Sequence, residues 1–129
     1  KLLDDFRPIF EEFGVDMILQ GHDHAYARGQ AKTIAGSDKL DYHKGPVYVV
    51  SVAGPKMYDV NKQEWMVRSA FNTQLFQTIR IKGDELVYES YMGTGELYDS
   101  FVMTKKKGGN KIVNKIPDVP ERTQPANLN

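Results

Sequence analysis

The stretch Val15-Asp16-Met17-Ile18-Leu19-Gln20-Gly21-His22-Asp23-His24-Ala25-Tyr26-Ala27-Arg28 decides how this chain is read. Residues 15–19 are apolar except for Asp16, and Gln20-Gly21 follows, so the composition predicts a mostly buried strand ending in a turn. Loops at the carboxyl ends of buried strands are where open α/β sheets place ligands. His22 and His24 stand in that position. In extended backbone, residues two apart face the same side with Cα atoms about 6.6 Å apart, which suits two imidazoles serving one site. Metal ions about 3.5 to 4 Å apart can be reached from that spacing, one His per ion. Asp23 then points the other way, and Gly21 lets the backbone approach the site closely.

Ahead of this stretch, Leu2, Phe6, Ile9 and Phe13 recur at three- and four-residue spacing, with Leu3 and Phe10 widening the stripe. The spacing predicts an amphipathic helix ending near Phe13. Pro8 should kink or restart it, and Gly14 should close it as a left-handed residue. Downstream, residues 29–45 are mostly small or polar and read as an exposed loop or weak hairpin. Residues 47–53, Val-Tyr-Val-Val-Ser-Val-Ala, predict a second buried strand stopped by Gly54-Pro55. Residues 57–72 give no clear signal, and Trp65 reads as a packing anchor. Residues 75–82 and 85–92 are β-rich runs joined by Gly83-Asp84, and a third run covers residues 97–104, so a three-stranded antiparallel meander is expected. Residues 105–129 carry Pro117, Pro120, Pro125 and several Lys, the composition of an extended or disordered tail. Within it, Lys105-Lys106-Lys107 reads as a solvated charge run, with an anion patch as the other reading.

The 129 residues have the size of one domain, 1–104, followed by the tail. Lys and Arg total 17 and so do Asp and Glu, which leaves no net field to draw in nucleic acid or an anionic membrane. With no Cys, any metal must sit on nitrogen and oxygen ligands. No apolar run approaches the ~20 residues that span a bilayer. The chain begins at Lys1, directly inside an apolar periodic segment, and reads as a piece of something longer.

The helix, the Val-Asp-Met-Ile-Leu strand and the Gly-His-x-His-x-Tyr-x-Arg run, in that order, resemble the calcineurin-like metallophosphoesterases, most closely the purple acid phosphatases. The strand at residues 47–53 and the meander ending in Tyr98-Asp99-Ser100-Phe101 fit the same family's final portion. The resemblance implies an α/β fold: the carboxyl-terminal half of an α/β/β/α sandwich, one N-terminal helix followed by a mixed, mainly antiparallel sheet. It implies that His22 binds one ion and His24 the other in a dinuclear centre of the Fe, Zn or Mn type, with Gly21, Tyr26 and Arg28 as the supporting loop. Tyr26 packed under a loop and Arg28 bonded to nearby carbonyls would be structural supports. The family's other ligand motifs precede this one and are absent in the required order. Asp41-Tyr42-His43 follows the histidine pair and sits in a polar loop, so it is read as a chance match and His43 as a surface residue.

The implied function is hydrolysis of phosphate esters by a metal-bound hydroxide, carried out by the parent protein. This chain alone is expected to be inactive, with partial or no metal occupancy and no assignable catalytic or substrate-binding residue. Its partners would be the phosphate ester, the missing amino-terminal half and a second copy in a homodimer. Residence outside the cytoplasm, extracellular or periplasmic, follows from the resemblance alone. The alternative is a non-catalytic structural or interaction module whose histidines are incidental. Residues 54–58, at the end of the second strand, are read as a plain loop rather than as a rim of the site.

Overall fold

The computed structural model describes residues 2–20, 25–50, 65–71 and 73–122. One helix, α1 (Leu2–Glu12), is followed by β1 (Met17–Gln20), β2 (Ala25–Gln30), β3 (Lys32–Thr33), β4 (Leu40–Asp41), β5 (Val47–Val50), β6 (Met66–Phe71), β7 (Leu75–Lys82), β8 (Glu85–Met92), β9 (Leu97–Thr104) and β10 (Lys111–Asn114). The described chain is thus a mixed helix and sheet fold with mainly antiparallel strands. No described helix is long and apolar enough to cross a membrane.

The end of α1 forms as the sequence predicts. Gly14 has φ +64°, the Val15 amide donates to Phe10 O at 3.0 Å and the Gly14 amide donates to Glu11 O at 3.3 Å. This is a Schellman closure, which satisfies the last carbonyls and turns the chain into β1. Pro8 lies inside the helix and does not end it. Much of the apolar stripe is nevertheless exposed. Phe10 is the residue that packs on Tyr48 of β5, with ring centroids 6.2 Å apart, while Phe13 is 73% exposed and Phe6 and Ile9 are also exposed.

Two four-stranded sheets carry the core, one in the order β1-β5-β2-β6 and the other β10-β9-β8-β7. β1 and β5 are parallel, and β2 runs antiparallel to both β5 and β6. Along β5 the side chains alternate: Val47 and Val49 enter the core with Tyr26 and Ala70, while Tyr48 meets the helix. The second sheet contributes Tyr88, Met92, Tyr98, Phe101 and Met103 to the same core. The layers are therefore helix, sheet, sheet. Leu19 faces inward by register with Val49, yet β1 is an edge strand and Leu19 remains 54% exposed.

The expected meander is present with its predicted bounds, β7, β8 and β9. Residues 29–45 begin inside β2 and continue as the short β3-β4 hairpin, so the strand reaches further than the polar composition suggested. The unassigned segment contains β6.

The tail reading needs correction for residues 105–122. β10 pairs with β9, and beyond it the Arg122 amide donates to Tyr98 Oη at 2.7 Å while Arg122 O accepts from the Phe71 amide at 2.7 Å. Glu121 Oε2 accepts from both the amide and the hydroxyl of Ser69. A Pro-rich segment cannot build a sheet of its own, but it can fasten to edges that another sheet leaves open. Residues 51–53 of the second predicted strand, 54–58 of the following loop, and 123–129 lie outside the described residues.

Candidate functional site

Gly21, His22, Asp23 and His24 lie outside the described residues, and only the strands that flank them in sequence are described. The segment follows Gln20, the last residue of β1, and precedes Ala25, the first of β2. Gln20 pairs with Val50 on one side of β5, and Ala27 pairs with Val50 on the other. β1 and β5 are parallel, so their carboxyl ends, Gln20 and Val50, lie side by side at one edge of the sheet.

The second half of the motif is fully described. Tyr26 and Arg28 alternate with Ala27, and both point between the sheets. Each is essentially inaccessible to solvent. Tyr26 Oη donates to Asp99 Oδ2 at 2.6 Å, and Arg28 grips the same carboxylate with both arms, Nε to Oδ2 at 2.9 Å and Nη2 to Oδ1 at 2.7 Å. The Ser100 amide donates to Oδ1 at 2.9 Å. With four donors in place, the carboxylate has no lone pair left for a proton or a metal ion. Asp99 therefore works as an anchor.

Arg28 has further partners. Nη1 donates to Asn114 Oδ1 at 2.5 Å, and the guanidinium lies 4.8 Å from the centroid of the Phe101 ring. These contacts tie β2 of one sheet to β9 and β10 of the other. Instead of bonding to the nearby carbonyls expected of it, Arg28 reaches across 71 residues to Asp99. Burial alone would lower the pKa of Arg28, but the hydrogen bonds and charge of Asp99 outweigh it and hold the group above its ordinary value.

Tyr26 and Tyr88 share a hydrogen bond of 2.8 Å between their hydroxyls. Since the single proton of Tyr26 goes to Asp99, Tyr88 must be the donor in that pair. Burial pushes both phenols well above the ordinary tyrosine value, and the charge of Asp99 adds to the effect. Both stay neutral across the physiological range and supply no nucleophile or base there.

A second cation stands beside this network. Arg68 of β6 lies over the Tyr98 ring at 4.1 Å, donates from Nε to Tyr98 O at 3.0 Å and from Nη2 to Val119 O at 2.8 Å. A bulge in β9 opposite Ser90 and Tyr91 leaves Tyr98 out of the ladder, which lets neighbouring Tyr98 and Asp99 both reach the interior. The sequence reading missed Asp99 and Asn114 as partners. The signal available was an Asp in the middle of an otherwise strand-like run, Leu-Tyr-Asp-Ser-Phe-Val-Met.

His43 is exposed, and its amide donates to Asp41 Oδ1 at 2.8 Å. Among the described residues, no three His, Cys, Asp or Glu side chains converge on a common point. Two imidazoles are suitable nitrogen donors for the ions expected, but a closed coordination shell would have to draw on residues beyond those described.

The fold and site define a class only: a helix-backed pair of β-sheets joined by a buried Arg-Asp-Tyr network. No protein-family model, curated protein or solved structure matches the chain.

Proposed function

We propose that this chain is the carboxyl-terminal half of a dinuclear-metal phosphoesterase, with His22 and His24 as ligands to one ion each. The observation that carries the proposal lies in the flanks of the Gly-His-x-His run: β1, parallel to β5, ends at Gln20 just before it in sequence, and β2, pinned at Tyr26 and Arg28, begins at Ala25 just after it. His22, His24, Tyr26 and Arg28 share one parity in the sequence. A motif whose second half is rigidly held can orient its first half, which is what ion ligands require. The ions, when bound, would supply Lewis-acid stabilisation of phosphoryl charge. The chain's own part is to hold the two imidazoles in place, and Asp99, with every acceptor position occupied, would give the anchor its stiffness.

Uncovered apolar surface also favours an incomplete sandwich. Leu19 on β1, an edge strand among the described residues, Phe6 and Ile9 on α1 and Phe13 just after it are exposed, as a neighbouring layer would require. The same residues support the second reading, a non-catalytic module that docks a partner or a second copy through them.

Metal uptake separates the two. The purified chain, dialysed against Zn²⁺ or Mn²⁺, should retain metal weakly and show no phosphatase turnover on a generic aryl phosphate. The double variant His22→Ala, His24→Ala should lose that metal. Retention at the wild-type level would overturn the phosphoesterase reading and leave the module.

A further inference from the structure

The end of β1 opposite the histidine segment opens onto a cleft of about 520 Å³, within the range of small-molecule sites. Its walls come from the end of α1, the approach to β1, the start of β3, the loop before β5 and the β9-β10 turn. Five basic side chains line it: Lys32, His43, Lys44, Lys105 and Lys106. They come from three segments far apart in sequence, and the chain as a whole carries no net charge. The balance of 17 against 17 thus conceals a local concentration of positive charge.

The two carboxylates in the cleft are already engaged. Asp16 accepts from Lys105 Nζ at 2.7 Å and from Asn110 Nδ2 at 2.7 Å. Glu11 accepts from the amide of Thr33 at 2.9 Å and from its hydroxyl at 3.2 Å. Lys32, Lys44 and Lys106 form no ion pair with any described residue. Three ammonium groups around one concavity repel each other unless an anion joins them. No Arg lines the cleft, and its unpaired cations are ammonium groups, compact point charges of the kind that bind phosphate oxygens.

We infer that this cleft binds a small molecule carrying two or more phosphoryl groups, held by Lys32, Lys44 and Lys106. The cleft gathers at the amino end of β1, roughly 13 Å along the strand from its last residue, Gln20, and the assignment does not depend on the phosphoesterase reading. Lys105 stays with Asp16 and shapes the wall.

Inorganic pyrophosphate is the probe. Calorimetric titration of the whole chain at low salt should show binding that weakens as ionic strength rises. Citrate, a carboxylate of comparable charge, should bind at least tenfold more weakly. The triple variant K32Q/K44Q/K106Q alters only exposed side chains, so it should keep the circular dichroism spectrum of the parent while losing affinity at least tenfold. The variant His22→Ala, His24→Ala should bind as the parent does. Equal affinity for citrate, undiminished binding by the triple variant, or loss of binding on replacing the histidines would each overturn the assignment, as would no detectable heat with pyrophosphate at millimolar concentration.

Discussion

Arg28 and Asp99 show how one residue pair can fasten two sheets. Both are buried, both are charged, and each is the other's main compensation. Removing one partner leaves an uncompensated charge in the interior, at a cost of about 3–5 kcal/mol. Asp99→Ala and Arg28→Ala should each lower stability by that amount in urea titrations. The joint change Arg28→Met, Asp99→Leu should recover a large part of the loss, because no charge is then stranded. Tyr48 presents the opposite case. Its hydroxyl is buried beneath α1 and makes no hydrogen bond among the described residues. Tyr48→Phe should therefore leave stability at neutral pH unchanged or raise it, by up to about 1–3 kcal/mol. Burial, assisted by the charge of Glu11, raises the pKa of Tyr48 from 10.0 to about 12. Below pH 10 folded and unfolded chains both hold the proton; between 10 and 12 only the folded chain does, so stability falls as pH climbs through that window. The Phe variant should show a shallower alkaline decline in unfolding scans, with the other tyrosines held above their ordinary value, Tyr26, Tyr88, Tyr91 and Tyr98, supplying what decline remains.

At the scale of elements, the pairing of β2 with β6 depends on one absent side chain. The register shifts between Arg28 and Gly29, and a Cβ built on Gly29 would lie 1.8 Å from Trp65 O. Backbone, rather than a movable side chain, stands in the way. Gly29→Ala should force the strands apart and cost about 1–3 kcal/mol or more. Gly83, in the β7-β8 turn, has φ +60° but open space around it. Gly83→Ala should cost only the left-handed backbone penalty, about 1–2 kcal/mol, so a chemical denaturation series of the two variants separates crowding from conformation. The meander was legible in the sequence because its contacts are local and alternation is strict between turn residues. β6 and β10 were not, since neither strand pairs with a sequence neighbour through a tight turn: β6 joins β2, and β10 follows a Lys- and Gly-rich turn that composition assigns to a tail.

Across the whole molecule, the distribution of apolar surface has a consequence for association. Phe13, just beyond α1, is 73% exposed and Ile81 on the edge strand β7 is 71% exposed. A free strand edge beside exposed apolar side chains favours pairing with another chain. The parent should show concentration-dependent self-association in sedimentation velocity runs, and Phe13→Glu with Ile81→Lys should reduce it. Since both positions face solvent, folding stability should change by no more than about 0.5 kcal/mol for each. Association unaltered by the pair of substitutions would assign contact to another surface.

The amino-acid sequence by itself determined the helix and its Gly14 closure, the buried strands predicted at residues 15–19 and 47–53, which the described residues show as Met17–Gln20 and Val47–Val50, the meander, and the presence of a histidine run after a predicted strand. These rest on local forces: apolar periodicity, left-handed glycine and turn chemistry act over a few residues. Only the tertiary structure decided what Tyr26 and Arg28 touch, because Asp99 comes from a strand of the other sheet and a bulge aims it inward. It likewise decided which part of α1 meets the sheet, since Phe10 fits on Tyr48 while Phe6 and Ile9 stay exposed. The lysine cleft belongs with these. Charges drawn from three distant segments become one field only when folding removes the sequence separation between them, and no local pattern records that distance.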